Sequence, residues 1–158
     1  MKLGLCVGGG GLMSGSSLAV RQVLGEHVQV FGAEPAGAPS MFLGLKKGEQ
    51  VNLESIDTNV QGLCPINSGK LNIAICLTTV DRVVLMSDDQ IYGAQEVLVR
   101  AGHTVEPAGA AAVSLVLSGQ IPDELLEGRT RDNPLRVACV VSGGNPDPAQ
   151  IEAIRSKG

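Results

Sequence analysis

The chain has 158 residues, 44% of them apolar, and a formal net charge of −4. That is enough to bury the core of one domain, and there is no basic run to act as an electrostatic footprint for nucleic acid or an anionic membrane. Trp is absent and the aromatics are Phe31, Phe42 and Tyr92, so the core is expected to be aliphatic, as suits a layered α/β fold.

No apolar stretch approaches the roughly 18 residues of a membrane-spanning helix. The first residues, Met1 to Val7, run into glycines rather than through the apolar segment of a signal peptide. Cys6, Cys64, Cys76 and Cys139 lie far apart, without C-x-x-C spacing, and His27 and His103 are not placed to complete a zinc site. The expectation is a cytoplasmic protein with four reduced thiols and a small-molecule or protein partner.

Short apolar runs alternate with helical patterns along the chain, which predicts βα units and a mostly parallel sheet with helices on both faces. Leu3 to Val7 reads as the first strand and Gly8 to Gly11 as a loop. A helix follows from Leu12 to Leu24, with Leu12, Leu18, Ala19 and Val23 as its apolar set and Gly25 as its stop. Val28 to Phe31 is the second strand, and Met41 to Leu45 a short helix ended by Lys46-Lys47-Gly48. The stretch from Glu49 to Lys70 lacks periodicity and is rich in Asn, Ser, Gly and Pro, which predicts a long irregular loop with a functional role.

Leu71 to Thr79 reads as a buried helix, Asp81-Arg82 as a turn and Val83 to Met86 as a strand. Ser87 and Gln90 have the spacing of a capping box for a helix reaching about Arg100. Glu106-Pro107 opens a small-residue helix to Leu117, closed by Gly119. After a polar loop from Pro122 to Pro134, Val137 to Val141 reads as a buried strand, and a last helix runs from Pro148 to Arg155.

The strand, Gly8-Gly9-Gly10-Gly11, helix arrangement lets backbone N–H groups approach an anion with the positive end of a helix dipole behind them. A plain glycine turn for tight packing is the alternative. The loop is not a P-loop, because Gly10 and Gly15 have that spacing but Ser16 stands where the lysine belongs; it also fails G-x-G-x-x-G in every register. Gly143 and Gly144 follow the last strand. In an open α/β sheet both turns lie at the carboxyl ends of strands, where ligands bind. Ser142 thereby becomes a candidate to face the same ligand, unless it only satisfies local backbone.

Five blocks, Val7-Gly8-Gly9-Gly10-Gly11-Leu12-Met13-Ser14-Gly15, Gly32-Ala33-Glu34-Pro35, Val80 to Asp88, Val105 to Ala112 and Val140-Val141-Ser142-Gly143-Gly144-Asn145, follow one another in this order. Together they resemble the carboxy-terminal half of the fold-type II pyridoxal-phosphate enzymes of the threonine dehydratase and serine racemase kind, relatives of the tryptophan synthase β chain. The resemblance implies that Gly8, Gly9, Gly10, Gly11 and Leu12 hold the phosphate of pyridoxal phosphate, that Ser142, followed by Gly143, hydrogen-bonds the pyridine nitrogen, and that Glu106 lies near the ring. A Glu at the start of a helix, favoured by the dipole, is the alternative for Glu106.

Some members of that family bind a divalent cation through a Glu, a backbone carbonyl and a second acid. Glu34 and Ala38 fit the first two, but Ser40 stands at the third, so no cation is expected. Gln61-Gly62-Leu63 replaces the family's Asp-Gly-Leu.

The family's Schiff-base lysine belongs to the amino-terminal half, which this sequence does not contain. Lys2, Lys46, Lys47, Lys70 and Lys157 all fall outside the family blocks. The expectation is a truncated threonine/serine dehydratase-like domain that binds the cofactor only non-covalently and is inactive alone. A sheet edge and apolar faces left uncovered would favour a homodimer or a complex with an amino-terminal half. A non-catalytic structural or regulatory protein that kept the fold is the competing reading; a nucleotide-binding domain fits less well, for want of the P-loop lysine and the dinucleotide fingerprint.

Overall fold

In the computed structural model, which describes residues 1–156, the strands β1 (Lys2–Cys6), β2 (Gln29–Pro35), β3 (Arg82–Met86) and β4 (Val137–Cys139) form one parallel sheet in the order β3-β2-β1-β4. Leu5 pairs with Gly32, Gly32 with Val83, and Gly4 with Cys139. Successive side chains of a strand point to opposite faces, and here both faces are apolar. Leu5, Val7, Val30 and Val83 meet Met13 of α1 (Gly11–Leu24), Met41 of α2 (Ser40–Lys47), and Ile73 and Cys76 of α3 (Lys70–Thr79). On the other face Cys6, Phe31, Ala33 and Met86 meet Ile91 of α4 (Asp88–Arg100) and Ala108, Ala111 and Leu115 of α5 (Pro107–Leu117). α6 (Pro148–Ser156) then packs Ile151 on Ala94, Val99 and Ala110, outside the α4–α5 layer. The result is the three-layer α/β arrangement expected from the alternating pattern.

Local chemistry sets the element ends. The Ser87 hydroxyl accepts from Gln90 N at 3.3 Å while Gln90 Oε1 accepts from Ser87 N at 2.9 Å, completing the expected capping box of α4. Pro107 occupies the first turn of α5, where its missing N–H costs no helical bond. From residue 48 to 69 there is neither helix nor strand, yet this segment is pinned along its length. Leu53 N donates to Ile66 O, Asp57 N to Gly37 O, Asn59 N to Asp88, and the Tyr92 hydroxyl to Asn59 O. Val60 and Leu63 are buried in the core beside α5.

Three expectations are corrected. The apolar set Leu12, Leu18, Ala19 and Val23 of α1 faces outward, Val23 being 80% exposed; the buried side is Met13, Ser14 and Ser17. Small residues win that face because α1 lies close against α3, with Ser17 Oγ 2.7 Å from Thr79 Oγ1. Likewise α3 is buried only along Ile73, Cys76 and Thr79, while Leu71 and Leu77 are exposed. The last strand stops at Cys139 rather than Val141 and is only half-buried: β4 is an edge with β1 as its partner, and Ala138 and Val141 are exposed.

Candidate functional site

β1 and β4 are neighbours and run parallel, so the glycine loop after the first and Ser142-Gly143 after the second emerge at the same end of the sheet. Gly10 caps α1 with φ 88°, ψ 0°, a left-handed conformation that glycine adopts without steric cost. Three loop carbonyls are tied back into the protein. Gly8 O accepts from Ser68 Oγ at 3.1 Å, Gly9 O from Asn72 Nδ2 at 2.7 Å and from Gly69 N at 3.1 Å, and Gly10 O from Ser14 N at 2.8 Å.

With the oxygens committed inward, the backbone donors are left for a ligand. The first N–H groups of a helix have no carbonyl a turn earlier to meet them, and among the described residues no hydrogen bond from the N–H of Gly9, Gly10, Gly11 or Leu12 is made to protein. Space is open where side chains at Gly9 and Gly11 would stand. Asn72 also accepts from Ser14 Oγ at 3.0 Å, so one amide clamps the loop to both α1 and α3. These clamps, Ser68 and Asn72, were missed in the sequence; a lone Asn in the apolar run Leu71 to Leu77 was the available signal.

On the other side of the site, Ser142 Oγ lies 3.6 Å from Cys6 Sγ. Burial pushes the Cys6 thiol up, outweighing its hydrogen bond to Ser142, and the Glu106 charge acts in the same direction as burial. Glu106 starts α5 without capping it: its side chain accepts no helix N–H, and its carboxylate instead covers Gly143, whose φ of 67° and contact with Glu106 leave no room for a Cβ. Glu106 N donates to Gly143 O at 2.9 Å. Gln61 and Gly62 border a cleft with Glu106, Tyr92 and Asn145, and the Gly62–Leu63 backbone packs on Gly8. The expected residues Gly8 to Leu12, Glu106, Ser142 and Gly143 thus lie at the same end of the sheet, with Glu106 against Gly143 and Gly62 against Gly8.

Three of the lysines lie away from this loop. Lys2 bonds Gln29 at the opposite end of β1, Lys47 pairs with Glu49 at 2.9 Å, and Lys46 ends α2. Lys70 is exposed at the first position of α3, one residue beyond Gly69. Lys157 lies outside the described residues.

Glu34 has another task than the cation site considered for it. It is fully buried, its two carboxylate oxygens accept from Met41 N at 2.7 Å and Phe42 N at 2.8 Å, and it thereby caps α2. The Ala38 carbonyl accepts from Ser40 N, and the Ser40 hydroxyl meets Ser68 Oγ at 2.9 Å. Burial raises the Glu34 carboxyl from 4.5 to about 7, against the lowering effect of those two N–H groups. A carboxyl raised in the folded state takes up a proton on folding, so stability is greatest below the unfolded value and falls as pH rises from 4.5 to about 7. The loss attributable to this group is on the order of 3 kcal/mol. Chemical denaturation at pH 5 and pH 8 should show such a fall in the wild type and a much flatter profile in Glu34→Gln.

The profile of the family described as "Pyridoxal-phosphate dependent enzyme" matches residues 3–143. The chain is 34% identical over 152 residues to the L-threonine dehydratase biosynthetic IlvA of Halalkalibacterium halodurans, covering 96% of this chain and 34% of that protein. It is 34% identical over 153 residues to the L-threonine ammonia-lyase of Geobacter sulfurreducens, covering 96% and 36%. The structure of maize serine racemase superposes with a TM-score of 0.80 at 27% identity, over 99% of this chain and 48% of that one. The chain therefore spans about a third of the length of these two enzymes, and it corresponds to the carboxy-terminal part of the fold-type II unit.

Proposed function

The chain belongs to the pyridoxal-phosphate dependent enzyme family, and from that premise we propose that it is a threonine/serine dehydratase-like part that binds the cofactor non-covalently and needs a second polypeptide to catalyse. One observation carries this reading: Ser68, Asn72, Gly69 and Ser14 hold the loop carbonyls inward while the donors of Gly9, Gly10, Gly11 and Leu12 stay free. Gly8 to Leu12 would bind the phosphate through main-chain donors at the start of α1, a position that favours negative charge.

When bound, pyridoxal phosphate supplies an electron sink for breaking bonds at the α-carbon of an amino acid. Ser142 would donate to its pyridine nitrogen; a neutral hydroxyl there leaves that nitrogen unprotonated. Glu106 and Gly143 would bound the ring, and Gln61, in place of the family's acid, would face it through a neutral amide. No cation enters this reading, because Ser40 stands where a second acid would be needed.

The covalent step of such enzymes needs an amine; Lys2, Lys46 and Lys47 lie away from the glycine loop, and Lys70, beside it, is solvent-exposed at the start of α3, so we assign none of them that role. An amino-terminal half would supply it, and the outward apolar residues of α1 together with the β4 edge offer surface for that half or for a second copy of this chain. Among the described residues no helix is long and apolar enough to cross a membrane, and a cytoplasmic setting accompanies the reading.

Mixing the chain with an amino-terminal half of the Geobacter enzyme, cut just before the matched segment, should produce ammonia from threonine or serine that neither part releases alone. Turnover by this chain alone would contradict the reading. Failure of the parts to associate, with cofactor still bound, would favour the competing role of a non-catalytic interaction protein.

A further inference from the structure

Cys6 ends β1 with its side chain in the α5 core, among Phe31, Ala33, Ala108 and Ala111, none of which offers a side-chain acceptor. In that apolar setting its side-chain hydrogen-bond partner is Ser142 Oγ at 3.6 Å, within the reach of a sulfur hydrogen bond. Ser142 is half-buried and stands at the opening of the site, and its carbonyl is pressed against Gly109 of α5, so its backbone is fixed. What remains free is the rotation of its hydroxyl hydrogen, and a hydroxyl has one proton and two lone pairs to distribute.

Two arrangements satisfy the pair. If Ser142 donates to sulfur, its oxygen presents only lone pairs to the site and suits a protonated ring nitrogen. If the thiol donates, Ser142 keeps its own proton for the site and suits a neutral nitrogen. The S–H is a weak donor and sulfur a weak acceptor, so the surroundings decide: donation by Ser142 would leave the buried thiol proton among apolar side chains without an acceptor, whereas the half-buried Ser142 hydroxyl can direct its own proton to the site, and the second arrangement wins.

We infer that Cys6 is a positioning residue: its buried S–H donates to Ser142 Oγ and thereby turns the Ser142 proton toward the pyridine nitrogen of the ligand. The inference rests on the cofactor reading above, but the thiol bond itself exists without ligand and can be tested separately. It also gives the chain a built-in preference for an unprotonated ring, set by a residue that never touches it.

The first measurement is the infrared S–H stretch of the ligand-free protein, with the Cys6 band identified by difference from Cys6→Ala. The band should lie at a lower frequency than that of an unbonded thiol and move up in Ser142→Ala; a band that does not move overturns the inference whatever the ligand does. The second uses 4-deoxypyridoxine 5-phosphate, which has the phosphate and pyridine nitrogen but no aldehyde. Bound to wild type, its nitrogen should stay unprotonated to lower pH than in solution. Cys6→Ala should weaken its binding about fivefold and raise the apparent nitrogen pKa by roughly one pH unit.

Cys6→Ser, which keeps a donor of similar size, should behave as wild type, and Cys6→Ala should add nothing in a Ser142→Ala background. Equal ring titration in wild type and Cys6→Ala, or effects that simply add, would overturn the positioning role. Absence of binding by the wild-type protein would instead sink the cofactor reading, leaving the infrared band to judge the thiol bond.

Discussion

Replacing Gly109 with alanine is expected to lower stability by about 3 kcal/mol and to abolish ligand binding at the glycine loop. Gly109 is the third residue of α5, in its first turn, where a Cβ would overlap the Ser142 carbonyl oxygen, stand 2.6 Å from its carbon and 2.9 Å from Val105 Cγ2. Two of the three obstacles are main chain and cannot swing aside. Either α5 slides off β1, exposing the Ala111–Leu115 core, or the turn carrying Ser142 and Gly143 moves out of the site. A drop of about 10 °C in melting temperature corresponds to that cost for a chain of this size. Gly93→Ala is the contrasting case. Its Cβ would meet nothing within 4 Å inside α4, so the helix should gain about 0.5–1 kcal/mol.

Gly10→Ala should have the second large effect, and for a different reason. Its φ of 88° lies where a side chain costs about 1–2 kcal/mol, and the new Cβ would fall 2.9 Å from Asn72 Cβ and against the Met41 methyl. The methionine end can swing away; Asn72 cannot do so without releasing Gly9 O and Ser14. A stability loss of about 2 kcal/mol is expected, together with at least a tenfold weaker affinity for inorganic phosphate measured by calorimetry. Gly9→Ala separates the two causes, since Gly9 has neither positive φ nor a neighbour to strike and its folding stability should stay near wild type.

Periodicity exposed the layer order because both faces of the sheet are covered, so Leu5, Val30 and Val83 had to be apolar on one side and Phe31 and Met86 on the other. Glycines and caps exposed the turns, since Gly10, Gly25 and Gly119 take backbone angles that other residues avoid. The orientation of α1 was not legible. Its buried side is Met13, Ser14 and Ser17, the serines giving close approach to α3 and a hydroxyl pair with Thr79, while Leu12, Leu18, Val23 and Leu24 face out. A rule that sends apolar residues inward reads such a helix backwards.

The site was legible where it uses backbone and opaque where it uses long-range partners. Gly8 to Leu12 and Ser142-Gly143 announce themselves as strand–turn–helix motifs. Ser68 and Asn72, about sixty positions away, carry no local mark of gripping the loop, and Cys6 reads as an ordinary core thiol until its 3.6 Å contact with Ser142 is seen. Glu34 was legible only as an acid near the family's cation position; its contacts with the N–H groups of Met41 and Phe42, which receive both of its oxygens, depend on the fold of α2 and carry no local mark.

The central claim is that this chain carries a working phosphate cradle for pyridoxal phosphate. Equilibrium titration of the purified protein with pyridoxal phosphate, competed with inorganic phosphate and repeated on Gly10→Asp, tests it most directly. Saturable binding that phosphate displaces and the variant loses is the expected result. Binding by the wild type and the variant alike, or none by either while both remain folded, would contradict it and leave the glycine loop as a packing turn.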